Sequence, residues 1–317
     1  MRTLRPIRRT LAVALAAGAL LTASACGSDD LSSDDSSGSG DKGTVRLASQ
    51  NFDEAVLVTT MYQQVLENAG YTVPDPTFVD TRDVYMAKFP GDFDVVPEYV
   101  AGIGDYLNID QNGEDAKPVT TNDTDESLQA MQPLLDKAGI TLLDPSPAAS
   151  QNAFFVTKDY SEQNGVTKLS DLQGKSITLA APPDCKGRSD CEGGLTGVYG
   201  IDIAKILPLG YATPETYKSV LDGESQLGET GTLDGTLDDQ GLVLLEDDKG
   251  IQPAQNLVPA VSSDFLKDNP DVADPLNSLM AALDNQTLGE LIAQVTVDRA
   301  KPEDVAKDFL QSKGLID

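Results

Sequence analysis

The chain has 317 residues, of which 40% are hydrophobic and 23% charged, so it can bury one large core or two of medium size. Its 51 acidic and 23 basic residues give a net charge of −28, which disfavours binding to nucleic-acid phosphates or anionic lipid. The absence of histidine excludes His-based catalytic triads and histidine metal sites, and the absence of tryptophan leaves any aromatic site to tyrosine and phenylalanine.

The chain begins with the pattern of a secretory signal, predicted over residues 1–25. Four arginines open it, and the apolar segment 11–22 that follows is shorter than the ~20 residues a transmembrane helix needs. Segment 21–26 (LTASAC) resembles the bacterial lipoprotein box, in which Cys26 is lipidated and becomes the mature N-terminus. Ordinary cleavage after Ala25 is the alternative.

A flexible linker follows, so residues 26–43 are predicted to be the lipidated cysteine and a tether. Residues 27–43 are almost all Ser, Gly or Asp, which cannot form a packed core. This layout predicts a protein held by lipid at the extracytoplasmic face of the cell membrane, with the tether between anchor and globular body.

The globular body shows period-2 and helical-period segments in turn. The predicted strands cover residues 44–49, 71–79, 93–99, 141–143, 153–157, 176–180, 241–245 and 257–261. The predicted helices cover residues 53–69, 82–89, 127–138, 169–172, 214–221, 275–283, 288–295 and 302–312. This alternation predicts an α/β protein with largely parallel sheets, and the length of the body predicts two lobes. Since the last helices bring no strands of their own, the first lobe is expected to resume at the C-terminus.

The remaining two cysteines, Cys185 and Cys191, flank a short loop with Arg188 near its tip. In an exported protein they should form a disulfide, which would contribute ~2 kcal/mol through chain entropy and fix Arg188 in place. A zinc site would need more closely spaced cysteine pairs and further ligands.

No strong catalytic motif is present. Segment 108–113 (NIDQNG) resembles half of a calcium loop, but Val119 stands where an EF-hand needs Glu, so a polar turn is predicted. The sequence has no G-x-S-x-G and no P-loop. We therefore predict neither an enzyme nor a cofactor or metal.

Several segments resemble the glycine betaine/choline-binding family of ABC importers, the substrate-binding lipoproteins for osmoprotectants, in its actinobacterial type. They are ASQNFDE (48–54), FDVVPEY (93–99), DPSPAASQNAF (144–154), LLEDDKG (244–250) and KPEDVAKDFL (301–310). They keep the family's order and cover nearly all of residues 44–317.

The resemblance implies a two-lobed clamshell with type II periplasmic-binding-protein topology. Lobe I would hold residues 44–148 plus 250–317 and lobe II residues 149–249, with two crossings between them. The implied function is extracytoplasmic binding, as a monomer, of a small quaternary amine that is passed to an ABC permease. The alternatives are a binding lipoprotein for another small polar solute, such as an amino acid, and a secreted enzyme.

A quaternary ammonium has no N–H to donate, so this family holds it with aromatic rings. The resemblance assigns Tyr99, Phe154 and Tyr217 to such an aromatic cage. It assigns Gln50 to the other end of the ligand and Arg188 to a betaine carboxylate.

Two glycines depart from the family pattern. Gly102 stands in place of a hydroxyl donor, and Gly231 stands in place of an aromatic residue. Tyr85 and Tyr199 are therefore kept as further candidates for the cage.

Overall fold

The computed structural model describes residues 42–317. The predicted signal, Cys26 and the tether as far as residue 41 lie outside the described residues. Lys42 is part of the body, since its backbone N–H donates to the carbonyl of Gly70 and its Nζ lies 2.6 Å from Asp271 Oδ2.

Within the described range the chain forms ten strands and eleven α-helices. The strands are β1 Ala48–Gln50, β2 Thr77–Val79, β3 Val95–Tyr99, β4 Ile140–Leu142, β5 Asn152–Thr157, β6 Ser176–Ala181, β7 Asp202–Pro208, β8 Leu227–Gly231, β9 Leu242–Leu245 and β10 Leu257–Ser262. The helices are α1 Asp53–Asn68, α2 Arg82–Met86, α3 Val100–Asn112, α4 Thr124–Ala138, α5 Lys158–Asn164, α6 Glu192–Gly197, α7 Pro214–Leu221, α8 Ser263–Asp268, α9 Ala273–Ala281, α10 Asn285–Thr296 and α11 Pro302–Ser312. Short 3₁₀ helices cover Leu169–Leu172, Pro183–Cys185 and Pro270–Val272.

The strands form three sheets that divide between two lobes. β1 and β2 form one pair, β3–β10–β4 form a three-stranded sheet, and β7–β6–β8–β5–β9 form a five-stranded sheet. Every strand of the five-stranded sheet comes from the segment predicted as lobe II, and every strand of the other two sheets comes from the segments predicted as lobe I.

The prediction of largely parallel sheets is wrong. β10 runs antiparallel to both β3 and β4, and β5 runs antiparallel to both β8 and β9. Among the strands of residues 42–317, parallel pairing occurs only between β1 and β2 and between β6 and its neighbours β7 and β8. Isolated parallel bridges join Thr44 to Thr72, Leu47 to Val95 and Lys168 to Glu246. β5 and β10 are the first strands after each crossing between lobes. Each runs in the direction opposite to both of its neighbours in the sheet. The alternation of strands and helices along the sequence does not determine strand direction, so the antiparallel orientation of β5 and β10 could not be predicted from it.

The core of the first lobe combines both ends of the described chain. α1 presents an apolar face that includes Leu57 and Leu66, and it packs with residues of α9, α10 and α11 such as Leu276, Leu288 and Phe309. α1 ends as predicted, at a Gly70 with φ of 96°, a conformation that favours glycine.

The two crossing segments run side by side. Ala149 bridges Asn256 in antiparallel fashion, and the N–H of Ser150 donates to the carbonyl of Gln255 at 2.9 Å. Because both crossings share these hydrogen bonds, they form one paired connection between the lobes.

The calcium-like segment is helical and not a polar turn, so that prediction is wrong. It is the end of α3, which stops at Gly113. Asn108 Nδ2 donates to the carbonyl of Lys117, and Asn112 Nδ2 donates to Asn108 Oδ1. These side chains are used within the helix and its following loop.

Among residues 42–317, the helices are all too short or too polar to cross a bilayer.

Candidate ligand-binding cleft

The first lobe contributes the carboxyl ends of β1 and β3, where open α/β sheets commonly bind ligands. Gln50 is the last residue of β1 and is partly exposed, and α1 begins three residues later. Tyr99 is the last residue of β3 and the residue before α3. The predicted residues Gln50 and Tyr99 therefore sit at equivalent ends of two strands of this lobe.

Tyr99 is held by a partly buried carboxylate. Its hydroxyl donates to Glu54 Oε1 at 2.6 Å, and Ser150 Oγ donates to Glu54 Oε2 at 3.1 Å. Burial raises the pKa of Glu54 above its ordinary value, and the two hydrogen bonds act in the opposite direction. Glu54 thus ties the ring of Tyr99 directly to a crossing segment.

A second buried carboxylate lies behind Tyr99. Glu98 is fully buried and binds Arg82 in bidentate fashion, with Nε at 2.8 Å and Nη2 at 3.0 Å. It also accepts hydrogen bonds from the Tyr85 hydroxyl and from the backbone N–H of Tyr99. Tyr85 is only 1% exposed, so the structure gives it a packing position and does not place its ring in an open cleft.

The second lobe contributes the edge at which β6 and β8 end and β5 begins. Arg188 lies in the loop after β6, between Cys185 and Cys191, which form the predicted disulfide. Its Nε and Nη2 lie 2.9 and 2.5 Å from the two carboxylate oxygens of Asp190, and Asn152 Nδ2 also donates to Asp190. The guanidinium is therefore already paired, and a ligand carboxylate would have to compete with Asp190.

The charge of Arg188 decides the ionisation of Asp190. Desolvation is the largest single influence and raises the pKa of Asp190. The hydrogen bonds and positive charge of Arg188 outweigh it, so the pKa of Asp190 is lowered overall. The pair is thus a fixed ionic element of the edge.

The contacts do not bring Phe154 and Tyr217 together. Phe154 is 1% exposed and packs among Cys185, Cys191 and Tyr199 on one face of the five-stranded sheet. The neighbouring Phe155 points to the other face, where its ring centroid lies 5.3 Å from that of Tyr217. Successive side chains of a strand alternate between faces, which is why one residue separates the two environments. A single cage containing both rings is not what this arrangement forms.

The Tyr217 hydroxyl is used within the second lobe. It donates to Asp234 Oδ2 at 2.6 Å and lies 3.1 Å from Thr230 Oγ1. Tyr199 is likewise occupied: its ring is fully buried, and its hydroxyl donates to Asp247 and accepts from the N–H of Lys249. Contact of Gln50, Tyr99, Phe154, Arg188 or Tyr217 with a ligand stays a prediction.

The two glycines that depart from the family pattern are each covered by a side chain that sequence reasoning missed. A Cβ at Gly102 would lie 2.5 Å from Arg82 Nη2, and a Cβ at Gly231 would lie 2.6 Å from the Tyr211 hydroxyl. The signal available in the sequence was a glycine where the family has a larger residue. The sequence does not show which other side chain fills the space that the glycine leaves.

Glu229 adds an unusual negative group beneath this edge. It is fully buried, its Oε1 has no hydrogen-bond partner in the described part of the chain, and its Oε2 lies 3.1 Å from Cys191 Sγ. A disulfide sulfur carries no proton, so this contact does not satisfy the carboxylate. Burial raises the pKa of Glu229 to about 7. The grouping with Cys185 and Cys191 is not a thiolate metal site, because the two sulfurs are bonded to each other.

A cavity of about 830 Å³ lies beside β5 and β9 of the second lobe and the start of α10 of the first. Phe154 and Asn152 line it, whereas Gln50, Tyr99, Arg188 and Tyr217 do not. Since Gln50, Tyr99 and Arg188 each lie at or just after a strand end, we place the candidate site at those strand ends, next to this cavity.

A two-lobed α/β chain with paired crossings, and with polar and aromatic side chains at the strand ends of both lobes, defines a solute-binding protein of the periplasmic-binding-protein class. A family model described as OpuAC, the substrate binding domain of ABC-type glycine betaine transport systems, matches residues 43–312. The chain belongs to this family, and the predicted fold class is confirmed.

Relatives agree with this assignment. The chain is 26% identical over 286 residues to a glycine-betaine-binding protein of Pseudomonas aeruginosa, covering 86% of this chain and 89% of that one. It is 27% identical over 281 residues to the glycine betaine-binding protein YehZ of Escherichia coli, covering 85% and 90%. The solved apo structure of YehZ superposes with a TM-score of 0.72, at 26% identity, over 86% of this chain and 99% of that one.

Proposed function

We propose that this protein is the lipid-anchored, extracytoplasmic binding component of an ABC importer and binds a small quaternary ammonium osmoprotectant between its lobes. The unit of Tyr99, Glu54 and Ser150 carries the proposal. It joins an aromatic ring, a partly buried carboxylate and a crossing segment by hydrogen bonds of 2.6 and 3.1 Å.

This unit suits a permanently charged, methylated nitrogen. Such a head group has no N–H to donate, so it cannot form a hydrogen bond to an acceptor of the protein. The face of an aromatic ring attracts it by ~0.5–2 kcal/mol, and a nearby carboxylate adds Coulombic attraction in a partly desolvated cleft. Tyr99 offers the ring and Glu54 offers the carboxylate, since Glu98 is already paired with Arg82.

Binding would act through closure of the lobes. A ligand that contacts both lobes stabilises the closed arrangement by its extra contacts there, which shifts the open–closed equilibrium. Because Glu54 binds both Tyr99 and a crossing segment, a ligand on the Tyr99 ring would be coupled to the hinge. The closed protein would be recognised by the permease, and ATP would be hydrolysed by other subunits.

The ligands differ in whether they carry a carboxylate. Arg188 and Arg82 are the cations nearest the candidate site, and each is already bidentate with an acid of this chain. A carboxylated ligand, whether glycine betaine, carnitine or an amino acid, must displace such an acid. Choline needs no such exchange, and we therefore rank it first among the quaternary amines.

Calorimetric titration of the purified protein tests the proposal. Glycine betaine, choline and carnitine are compared with ectoine and proline, and we expect binding of at least one quaternary amine. Tyr99→Ala should weaken that binding roughly 2- to 30-fold, the range expected for one lost ring. Tyr160→Ala, on α5 of the second lobe, is the control and should bind normally. Selective binding of proline, or unchanged affinity in Tyr99→Ala, would overturn the assignment.

A further inference from the structure

We propose that Tyr211 is the aromatic wall that the second lobe contributes to the ligand site, replacing in space the ring missing at Gly231. The inference rests on the proposed function and names a residue that the family pattern does not assign.

The first observation is where the Tyr211 side chain lies. Gly231 ends β8 and pairs with Asn152 of β5 at the edge of the sheet that carries Arg188. The space a side chain at Gly231 would enter is taken by Tyr211, whose hydroxyl is 2.6 Å from the Cβ position. The ring thus reaches the same place from a different segment of the chain.

The second observation is that Tyr211 lies between charges of both lobes. Its side chain is 44% exposed, so part of the ring is open to a ligand. Desolvation is the first cause that raises the pKa of Tyr211 to about 12, and the negative charges of Glu229, Glu54 and Asp234 add to it. Glu54 belongs to α1 of the first lobe, whereas Glu229 and Asp234 belong to the second. Tyr211 therefore lies near carboxylates of both lobes and beside Gly231 at the edge of the second lobe.

The third observation is that the segment bearing Tyr211 is anchored. The N–H groups of Leu209 and Gly210 both point to the carbonyl of Ala181, where β6 ends. The N–H of Ala212 donates to the carbonyl of Glu229 at 3.2 Å, and Ala212 has φ of 50°. A non-glycine residue in this left-handed region is strained, and such strain persists where the surroundings hold the backbone. The backbone that carries the ring is therefore held in place before ligand arrives, which reduces the entropy lost on binding.

These surroundings define the ligand chemistry. Tyr211 has an open aromatic face close to carboxylates on both lobes. That combination attracts a quaternary ammonium head group and gives no advantage to an anion. Tyr99 on the first lobe and Tyr211 on the second would then contact the same head group when the lobes close.

The test uses choline chloride and calorimetric titration of the wild type and of Tyr211→Ala, Tyr211→Phe and Tyr160→Ala. Tyr211→Ala should weaken binding roughly 2- to 30-fold. Tyr211→Phe should stay close to wild type because it keeps the ring, and Tyr160→Ala should match wild type. Circular dichroism and melting temperature confirm that each variant is folded.

A rescue experiment separates a ligand contact from a structural role. Gly231 has no positive φ, and the Tyr211 hydroxyl is the close obstacle to a side chain there. Gly231→Tyr in the Tyr211→Ala background should therefore return a ring to the cleft and recover affinity. Gly231→Tyr with Tyr211 present should instead crowd the site and weaken binding.

The outcomes distinguish the two proposals. If Tyr211→Ala binds choline as tightly as wild type while Tyr99→Ala does not, the role of Tyr211 is refuted and the proposed function stands. If the rescue variant is as weak as Tyr211→Ala, the ring at this place is not what the ligand contacts, and the inference fails. If wild type binds no quaternary amine, both proposals fall together.

Discussion

Three carboxylates, two of them fully buried, shape this molecule at the scale of single residues. Glu54 accepts from Tyr99 and Ser150, and Glu98 is bidentate with Arg82. Glu229 differs, because one of its oxygens has no partner among residues 42–317. An unpaired buried carboxylate is costly in its charged form, so it remains protonated to higher pH.

This difference predicts how stability depends on pH. The pKa of Glu229 rises from 4.5 to about 7 in the folded protein, first because of burial and further because of the charges of Asp190 and Asp184, against Arg188. Between these values the unfolded chain has released the proton and the folded chain still holds it. The free energy of unfolding should therefore fall by about 3 kcal/mol as pH rises from 4.5 to 7.

Glu229→Gln should remove this contribution, so the difference between variant and wild type should grow with pH across that window and then level off. Urea denaturation at several pH values measures it. Glu215→Gln, at an exposed position of α7, is the control and should follow the wild-type profile. Parallel profiles for wild type and Glu229→Gln would contradict the argument.

The sequence located some site residues and not others. Tyr99 and Gln50 were found at strand ends because the segments that contain them resemble a known family and end at turn-forming positions. Phe154 was assigned by the same family resemblance, but strand alternation turns its ring into the core. Tyr211 and Arg82 were missed because each acts at a glycine far from it in sequence, and only tertiary packing reveals that relation.

At the scale of secondary-structure elements, strongly periodic segments were predicted well and glycine-containing ones were not. α1, α7 and α11 match their predicted ranges closely. α3 was missed because Gly102 and Gly104 lower its helix propensity. Its packing requires Gly104, where a Cβ would lie 2.7 Å from the Met131 side chain. β8 (LGETG) was missed because its glycines and Glu229 hide a buried strand, and β7, α5 and α8 were also not predicted.

The disulfide loop after β6 leads to a prediction at this scale. Cys185 and Cys191 close a loop with a sequence separation of 6, and both are fully buried. Cys185→Ala combined with Cys191→Ala should lower the free energy of unfolding by about 2 kcal/mol through loss of the loop constraint. Chemical denaturation measures the loss, and reduction of the wild-type protein should shift its midpoint in the same direction. An unchanged midpoint on reduction would show that the crosslink adds no stability.

At the scale of the whole molecule, the predicted anchor determines where the protein works. Cys26→Ser should abolish lipidation and release the protein from membranes into the soluble fraction, since Cys26 is the predicted acceptor. Cell fractionation followed by mass spectrometry of the N-terminus checks this. A wild-type N-terminus that begins at Cys26 without lipid would instead support ordinary cleavage after Ala25.

The first lobe is assembled from the beginning and the end of the body, with α1 packed against α9, α10 and α11. A polypeptide leaves the ribosome N-terminus first, so the apolar face of α1 is not fully covered until α9, α10 and α11 have been synthesised. The strands of the second lobe lie in one uninterrupted stretch and face no such delay. We expect them to become structured earlier, and a nascent chain arrested before Pro302 to require a chaperone that shields Leu57 and Leu66.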